Sequence, residues 1–139
     1  MNWKLIFQLS IFGLIMAFGT ISLITQQYEP VFWVPIFIFC AYIIAKRVAG
    51  GYFLTGFMVG IFNCFWISII HFIFYQTYII NHPDMVTMNK TMPASLQIHP
   101  RLLMTISGFF VGLISCVVLG LFAFIASKIV KKGEPKAVA

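Results

Sequence analysis

Four long runs without a charged side chain constrain the fold of this sequence more than any other feature. Asp, Glu, Lys and Arg are absent from residues 5–28, 30–45, 48–83 and 102–127. A helix needs about 20 apolar residues to cross a hydrocarbon core of roughly 30 Å. The first, third and fourth runs are long enough, and each therefore predicts a transmembrane helix.

The second run is shorter, because residues 31–45 reach only about 22 Å at the usual rise per residue. Its flanks nevertheless suit a membrane. Tyr28 and Trp33 are aromatic residues typical of one membrane interface, and Lys46 and Arg47 can extend their charges to the other. We therefore predict that this run also crosses.

The composition supports a membrane protein, since 61% of the 139 residues are hydrophobic and 9% are charged, whereas about a quarter of a soluble domain is charged. The predicted fold is an all-α membrane protein, a single four-transmembrane-helix bundle. Its predicted parts are helices at residues 5–24, 31–45, 53–80 and 102–127, an outer loop at 81–100 and a basic cytoplasmic tail at 128–139.

The basic residues indicate how such a bundle is oriented. Two of them, Lys90 and Arg101, lie in or beside the outer loop. The other seven lie on the opposite side of the predicted spans: Lys4, Lys46, Arg47, Lys128, Lys131, Lys132 and Lys136. Basic residues concentrate on the cytoplasmic side of membrane proteins, so both termini are predicted to be cytoplasmic. The net charge of +6 thus needs no nucleic acid, and anionic lipids are candidate partners.

The outer loop contains the signal of a short helix. Residues 81–84 (Asn-His-Pro-Asp) combine a cap residue, a proline in the first turn and an acid where the helix dipole favours one. Met85, Met88 and Met92 then fall on one helical face until Pro93 ends the segment. We predict a short interfacial helix here, with its methionines facing lipid.

The same loop also contains soft and borderline ligands of the kind that copper(I) or another late metal accepts. They are His82, Met85, Met88, Met92 and His99. Paired cysteines and a close spacing of two histidines are missing from the loop sequence. We therefore predict no metal and no cofactor.

Small residues recur at intervals of four in the last two predicted spans, where they allow helix backbones to approach closely in lipid. The third span has Gly56, Gly60 and Cys64, and the fourth has Gly108, Gly112, Cys116 and Gly120. We predict that these two rows pack against each other.

His71 is the one histidine predicted to lie within hydrocarbon, where an ionisable residue is a candidate for function. Ser68, Tyr75 and Asn63 are further polar residues of the same helix, and the four form a candidate polar intramembrane site. Two interpretations stay open. The group is a proton relay, or His71 is a neutral imidazole that hydrogen bonds a serine or tyrosine on a neighbouring helix.

Carboxylates are missing from the predicted spans, because Glu29, Asp84 and Glu134 all lie at helix ends or in loops. Ion-coupled transporters usually need a buried acid. The sequence also contains no Gly-x-Ser-x-Gly, His-Glu-x-x-His or phosphate-loop motif. No catalytic residue is therefore predicted, and the chain is not expected to be an enzyme.

Several short motifs from residue 50 onwards resemble a known family. They are Gly50-Gly51-Tyr52-Phe53, Gly56-Phe57, an aromatic third helix with Tyr75 and Tyr78, Ile80-Asn81-His82-Pro83-Asp84-Met85, and a final helix ending in lysines. Over residues 31–132 the chain resembles a family of small four-helix bacterial inner-membrane proteins of unknown function, of Bacteroidetes type. Its outer loop is shorter than in members that carry a longer charged helix there. The resemblance implies the four-helix fold and a bacterial inner membrane, and it implies no activity.

The predicted function is that of a multi-pass protein of the cell inner (cytoplasmic) membrane that acts without catalysis as an assembly, lipid-adapting or partner-binding module. Its candidate partners are the lipid bilayer, a second copy of the chain and another membrane protein. The alternative is an oligomeric small transporter or channel subunit with a polar path near His71. A polar, water-accessible cavity lined by His71, Ser68 and Tyr75 would favour the alternative.

Overall fold

The computed structural model describes residues 2–130, and within them it shows seven α-helices. Their bounds are α1 Trp3–Ser22, α2 Glu29–Arg47, α3 Tyr52–Ile73, α4 Tyr75–Asn81, α5 Pro83–Thr91, α6 Ala94–Gln97 and α7 Pro100–Ile129. Helices α1, α2, α3 and α7 are long and apolar enough to cross a membrane. The prediction of an all-α protein with four candidate transmembrane helices is therefore confirmed. Three lysines of the predicted basic tail, Lys131, Lys132 and Lys136, lie outside the described residues.

Helix α2 shows why the shortest uncharged run still gives a full span. It extends over 19 residues, about 28 Å at the usual rise per residue, because both flanks join the helix. Glu29 and Pro30 lie in its first turn, where an acid and a proline are both favourable. Lys46 and Arg47 lie in its last turn, where the helix dipole favours cations.

The third span differs from its prediction as one helix over residues 53–80. It consists of α3 and α4, which are separated at Phe74 (φ −96°, ψ 29°). Proline and glycine are absent from residues 61–80, so the local sequence does not dictate the break. Instead, α4 packs against α1, and its side chains Tyr75 and Tyr78 are buried, at 6% and 7% exposed. Tertiary packing thus overrides a continuous helical pattern.

Helices α3 and α7 run antiparallel through the centre of the bundle, with α1 packed on α3 and α2 packed on α7. The paired residues give the direction, since Gly56 lies against Leu119 and Gly120, whereas Gly60 lies against Cys116. Helices α4, α5 and α6 form one end of the bundle, which we call the loop end. The opposite end, which we call the basic end, carries Lys4, Lys46, Arg47 and Lys128.

The half of the bundle nearest the basic end is a closed apolar core. Ile6, Ile44, Val59 and Leu119, one from each long helix, are fully buried in it. Because these side chains come from all four candidate spans, the core fixes the helices relative to one another near the basic end.

Arg101 connects the start of α7 to the junction of α3 and α4. Its guanidinium carbon lies 5.4 Å from the ring centre of Phe72 and 5.2 Å from that of Tyr75. Contacts between a cation and an aromatic face contribute about 0.5–1 kcal/mol at exposed sites. The arginine therefore helps to hold α7 beside the bend at Phe74.

Candidate functional site: a cavity at the loop end

Helices α3 and α7 separate towards the loop end. A side chain at Gly112 of α7 would overlap with Cys64 of α3, whereas a Cβ at Gly108, one turn nearer the loop end, would meet no atom within 4 Å. The predicted row of small residues therefore makes close contact over only part of its length. Gly56, Gly60, Cys64, Gly112, Cys116 and Gly120 lie in this contact, and Gly108 lies beyond it.

A cavity of about 320 Å³, which we call the loop-end cavity, opens where the two helices separate. Side chains of α2, α3 and α7 form its walls, and Tyr78, Met85 and Met88 lie over it at the loop end. Its apolar walls include Trp33, Phe37, Ile67 and Val111. Small-molecule sites begin at about 300 Å³ and have mostly apolar walls with a few polar groups, so the cavity suits an apolar or amphipathic molecule.

Asn63 is a polar group in the part of the cavity nearest the centre of the bundle. It is 4% exposed, and neither its Oδ1 nor its Nδ2 has a hydrogen-bond partner among residues 2–130. Helix α1 fixes its position, because a Cβ at Gly13 would lie 2.7 Å from the Asn63 Cα. Burying such a group without a partner costs about 1–3 kcal/mol. Both amide atoms are buried, and the Oδ1 lies on the side of α1, since a Cβ at Gly13 would be 2.5 Å from it. The amide would therefore reach an atom in the cavity only after its side chain turns away from Gly13.

The loop end of the cavity contains its acidic group. Glu29 and Trp33 line it one turn apart on α2, and Trp33 Nε1 donates a hydrogen bond to Glu29 Oε1 at 3.1 Å. Tyr78 lies beside them. A phenol carries its proton at neutral pH and is both a donor and an acceptor of hydrogen bonds.

His71 lines the cavity and is bound by α1. Its Nε2 lies 2.8 Å from Thr20 Oγ1. The Thr20 hydroxyl also lies 2.9 Å from the backbone carbonyl of Met16 and 3.2 Å from that of Ala17. The tautomer of the imidazole decides whether the hydroxyl donates to Nε2 or accepts from it. The partner of His71 is thus a threonine, where the sequence pointed to a serine or tyrosine.

Ring contacts hold Tyr78 over the cavity, with His82 stacked on it and His71 tilted by 38°. The ring centres of His71 and Tyr78 are 4.7 Å apart, and those of Tyr78 and His82 are 4.1 Å apart. His82 Nδ1 lies 2.9 Å from the Tyr78 carbonyl oxygen, and its Nε2 lies 3.3 Å from that of Ile24. These contacts connect α3, α4 and the segment after α1.

The structure brings together two of the four residues of the predicted polar intramembrane site. Asn63 and His71 lie on one face of α3 and both line the loop-end cavity. Tyr75 instead lines a smaller cavity of about 120 Å³ between α4, α5 and α7. Ser68 lines neither of these cavities.

The methionines of α5 and Met92, which follows that helix, lie at the loop end. Met85 and Met88 line both cavities, and Met92 lines the smaller one. Met88 is also 53% exposed, so the expectation that this face meets lipid stays a prediction. Flexible thioether side chains fill irregular gaps, which suits them to cover the opening between α3 and α7.

The residues considered as metal ligands do not form one cluster. Both ring nitrogens of His82 face backbone carbonyls, and His99 is exposed immediately before α7. Within the part of the chain that the structure describes, no three His, Cys, Asp or Glu side chains are close enough to hold a metal ion.

Sequence reasoning missed Glu29, Trp33 and Thr20 as parts of the site. The spacing of four between Glu29 and Trp33 was a usable signal, because it places both on one helical face. Thr20 gave no signal, since a threonine within a helix ordinarily bonds only its own backbone.

Comparisons of the chain with protein-family models, with curated proteins and with solved structures found no match. The resemblance to a bacterial membrane-protein family therefore stays a prediction. The functional conclusion depends on the geometry of the loop-end cavity.

Proposed function

We propose that this chain is a small multi-pass membrane protein that binds an amphipathic molecule in the loop-end cavity without reacting with it. The observation that carries the proposal is the side chain of Asn63, which is buried in a mostly apolar wall with both amide atoms unpartnered among residues 2–130. Binding pockets use a few polar groups in apolar walls to orient their ligands.

The closed half of the bundle favours binding over transport. Ile44, Val59 and Leu119 are fully buried in the core on the side of the basic end, so apolar side chains occupy the route that a substrate would need. One observation favours the alternative of an oligomeric transporter or channel subunit, which is that His71 lines the cavity. Ser68 does not line it, so the polar row required by that alternative is incomplete.

The absence of catalysis is part of the same proposal. Its support is the sequence, which contains no Gly-x-Ser-x-Gly, His-Glu-x-x-His or phosphate-loop motif. The unpaired amide of Asn63 can bind and orient a ligand, but it neither gives nor takes a proton at neutral pH.

We also propose that the protein lies in a bacterial inner membrane with both termini in the cytoplasm. The support is the clustering of seven of the nine basic residues on one side of the candidate spans. The loop end then faces outwards, and ligand enters the cavity from the outer leaflet. At the basic end, lysine and arginine side chains would contact anionic lipid headgroups.

Cysteine labelling in intact cells tests this orientation. A cysteine at Asn89 should react with a membrane-impermeant maleimide added outside, whereas cysteines at Lys4 and Lys136 should react only after the cells are opened. The native cysteines are buried, so they add little background. Labelling of a cysteine at Lys46 from outside would contradict the four-span arrangement.

Energy transfer from tryptophan to dodecyl dansyl amide, with the protein in nanodiscs, tests binding in the cavity. Trp33 lines the cavity and is therefore a donor close to the bound probe. Gly108→Leu places a side chain in the open space beside α7, and we expect it to weaken probe binding by at least about tenfold.

Gly50→Leu is the matched control, because a Cβ at Gly50 also meets no atom within 4 Å and the residue lies in the turn before α3. Its binding should equal that of the wild type. Equal binding by the wild type and Gly108→Leu would contradict a site in the loop-end cavity.

A further inference from the structure

We infer that the ligand of the loop-end cavity is a single-chain amphiphile with a positively charged ammonium head, which Glu29 binds together with Trp33 and Tyr78. The inference rests on the proposed function and adds the chemical class of the ligand. The head lies at the loop end, and the chain extends towards Asn63.

The charge of the head follows from Glu29. Its side chain is the one carboxylate that lines the cavity, and the lining contains no lysine or arginine. Trp33 donates to Oε1, and within residues 2–130 the carboxylate makes no ion pair that would neutralise it. Coulombic attraction increases as the surroundings become less polar, so a half-buried carboxylate beside apolar walls favours a cation and disfavours an anionic head.

The preference for an ammonium head is supported by the aromatic residues beside the carboxylate. Trp33 and Tyr78 both line the cavity at the loop end. The ring of Tyr78 is already engaged by His82, which stacks on it, and by His71, which is tilted against it. The indole of Trp33 therefore supplies the aromatic face that attracts an alkylammonium group, and Tyr78 bounds the site. A carboxylate beside this face selects an ammonium head over a neutral one.

The number of chains follows from the volume. A cavity of about 320 Å³ holds roughly ten groups of the size of a water molecule, taking about 30 Å³ for each. This matches one alkyl chain of moderate length. Phe37, Ile67 and Val111 form the apolar wall along the chain, and a hydrogen-bonding group in the chain would bond Asn63 once its amide turns from Gly13 towards the cavity.

Competition against dodecyl dansyl amide in nanodiscs tests the inference. The competitors are dodecyltrimethylammonium and dodecyldimethylamine N-oxide, which share one chain and differ in net head charge, each used below its critical micelle concentration. For the wild type we expect the ammonium to displace the probe at about tenfold lower concentration. Glu29→Gln should remove this difference, whereas Asp84→Asn, which changes a carboxylate outside the cavity lining, should retain it.

The possible outcomes separate the inference from the proposed function. Equal displacement by the two competitors in the wild type would overturn the inference and leave amphiphile binding intact. An undiminished preference for the ammonium in Glu29→Gln would also overturn it. Failure of the probe itself to bind the wild type would overturn the proposed function. The comparison in the wild type needs no variant, so it stands even if Glu29→Gln fails to fold.

Discussion

Replacing Gly60 with leucine is expected to lower the free energy of unfolding by about 3 kcal/mol. A Cβ at this position would lie 2.6 Å from the Cα of Cys116, and a helix backbone cannot rotate away as a flexible side chain can. Helices α3 and α7 must therefore move apart at the centre of the bundle. Thermal and chemical unfolding in detergent, followed by circular dichroism, measures the loss.

Gly108→Leu is the matched control for this experiment. It makes the same substitution in the facing row of small residues, at a position where a Cβ meets no atom within 4 Å. Its stability should lie within about 0.5 kcal/mol of the wild type. Equal losses at Gly60 and Gly108 would contradict a contact that ends near Gly112.

Asn63→Leu is expected to act in the opposite direction and to stabilise the ligand-free protein by about 1 kcal/mol or more. The substitution removes a buried amide whose two polar atoms have no partner among residues 2–130 and replaces it with an apolar group of similar shape. The same change should weaken the binding of dodecyl dansyl amide. Unfolding in detergent and energy transfer in nanodiscs measure the two effects.

Thr20→Val provides the contrast, because it alters a buried polar residue that has its partners. The hydroxyl of Thr20 lies within hydrogen-bond distance of the Met16 carbonyl and of His71 Nε2, so its removal leaves that ring nitrogen unpaired and should destabilise by about 1–3 kcal/mol. Equal destabilisation by Asn63→Leu and Thr20→Val would mean that the Asn63 amide has a hydrogen-bond partner in the ligand-free protein, which would contradict its assignment as unpartnered.

The four candidate spans could be predicted from the sequence because charge is so costly in hydrocarbon that its absence over a long run is a clear signal. The flanks of α2 were also informative, although their joining the helix could not be foreseen from residues 31–45 alone. The break at Phe74 could not be predicted, because neither proline nor glycine marks it and its cause is the packing of α4 on α1.

The candidate site was only partly predictable. The sequence identified His71 and Asn63 as polar groups within hydrocarbon, and the structure places both in the cavity lining. It could not show that Gly108 lies beyond the close contact of α3 and α7, because all members of a small-residue row look alike. The loop-end cavity exists because α3 and α7 diverge there. That divergence depends on contacts between residues far apart in the sequence, which the small-residue row does not reveal.

Photolabelling tests most directly the central claim that an amphiphile binds inside the loop-end cavity. A dodecyl amphiphile with a diazirine at the end of its chain would be irradiated in nanodiscs with the protein, and the adducts would be located by mass spectrometry. The account predicts adducts on α3 between Asn63 and Ile67, which Gly108→Leu abolishes. Adducts confined to the exposed residues Phe110 and Ile114, in the wild type and in Gly108→Leu alike, would contradict it.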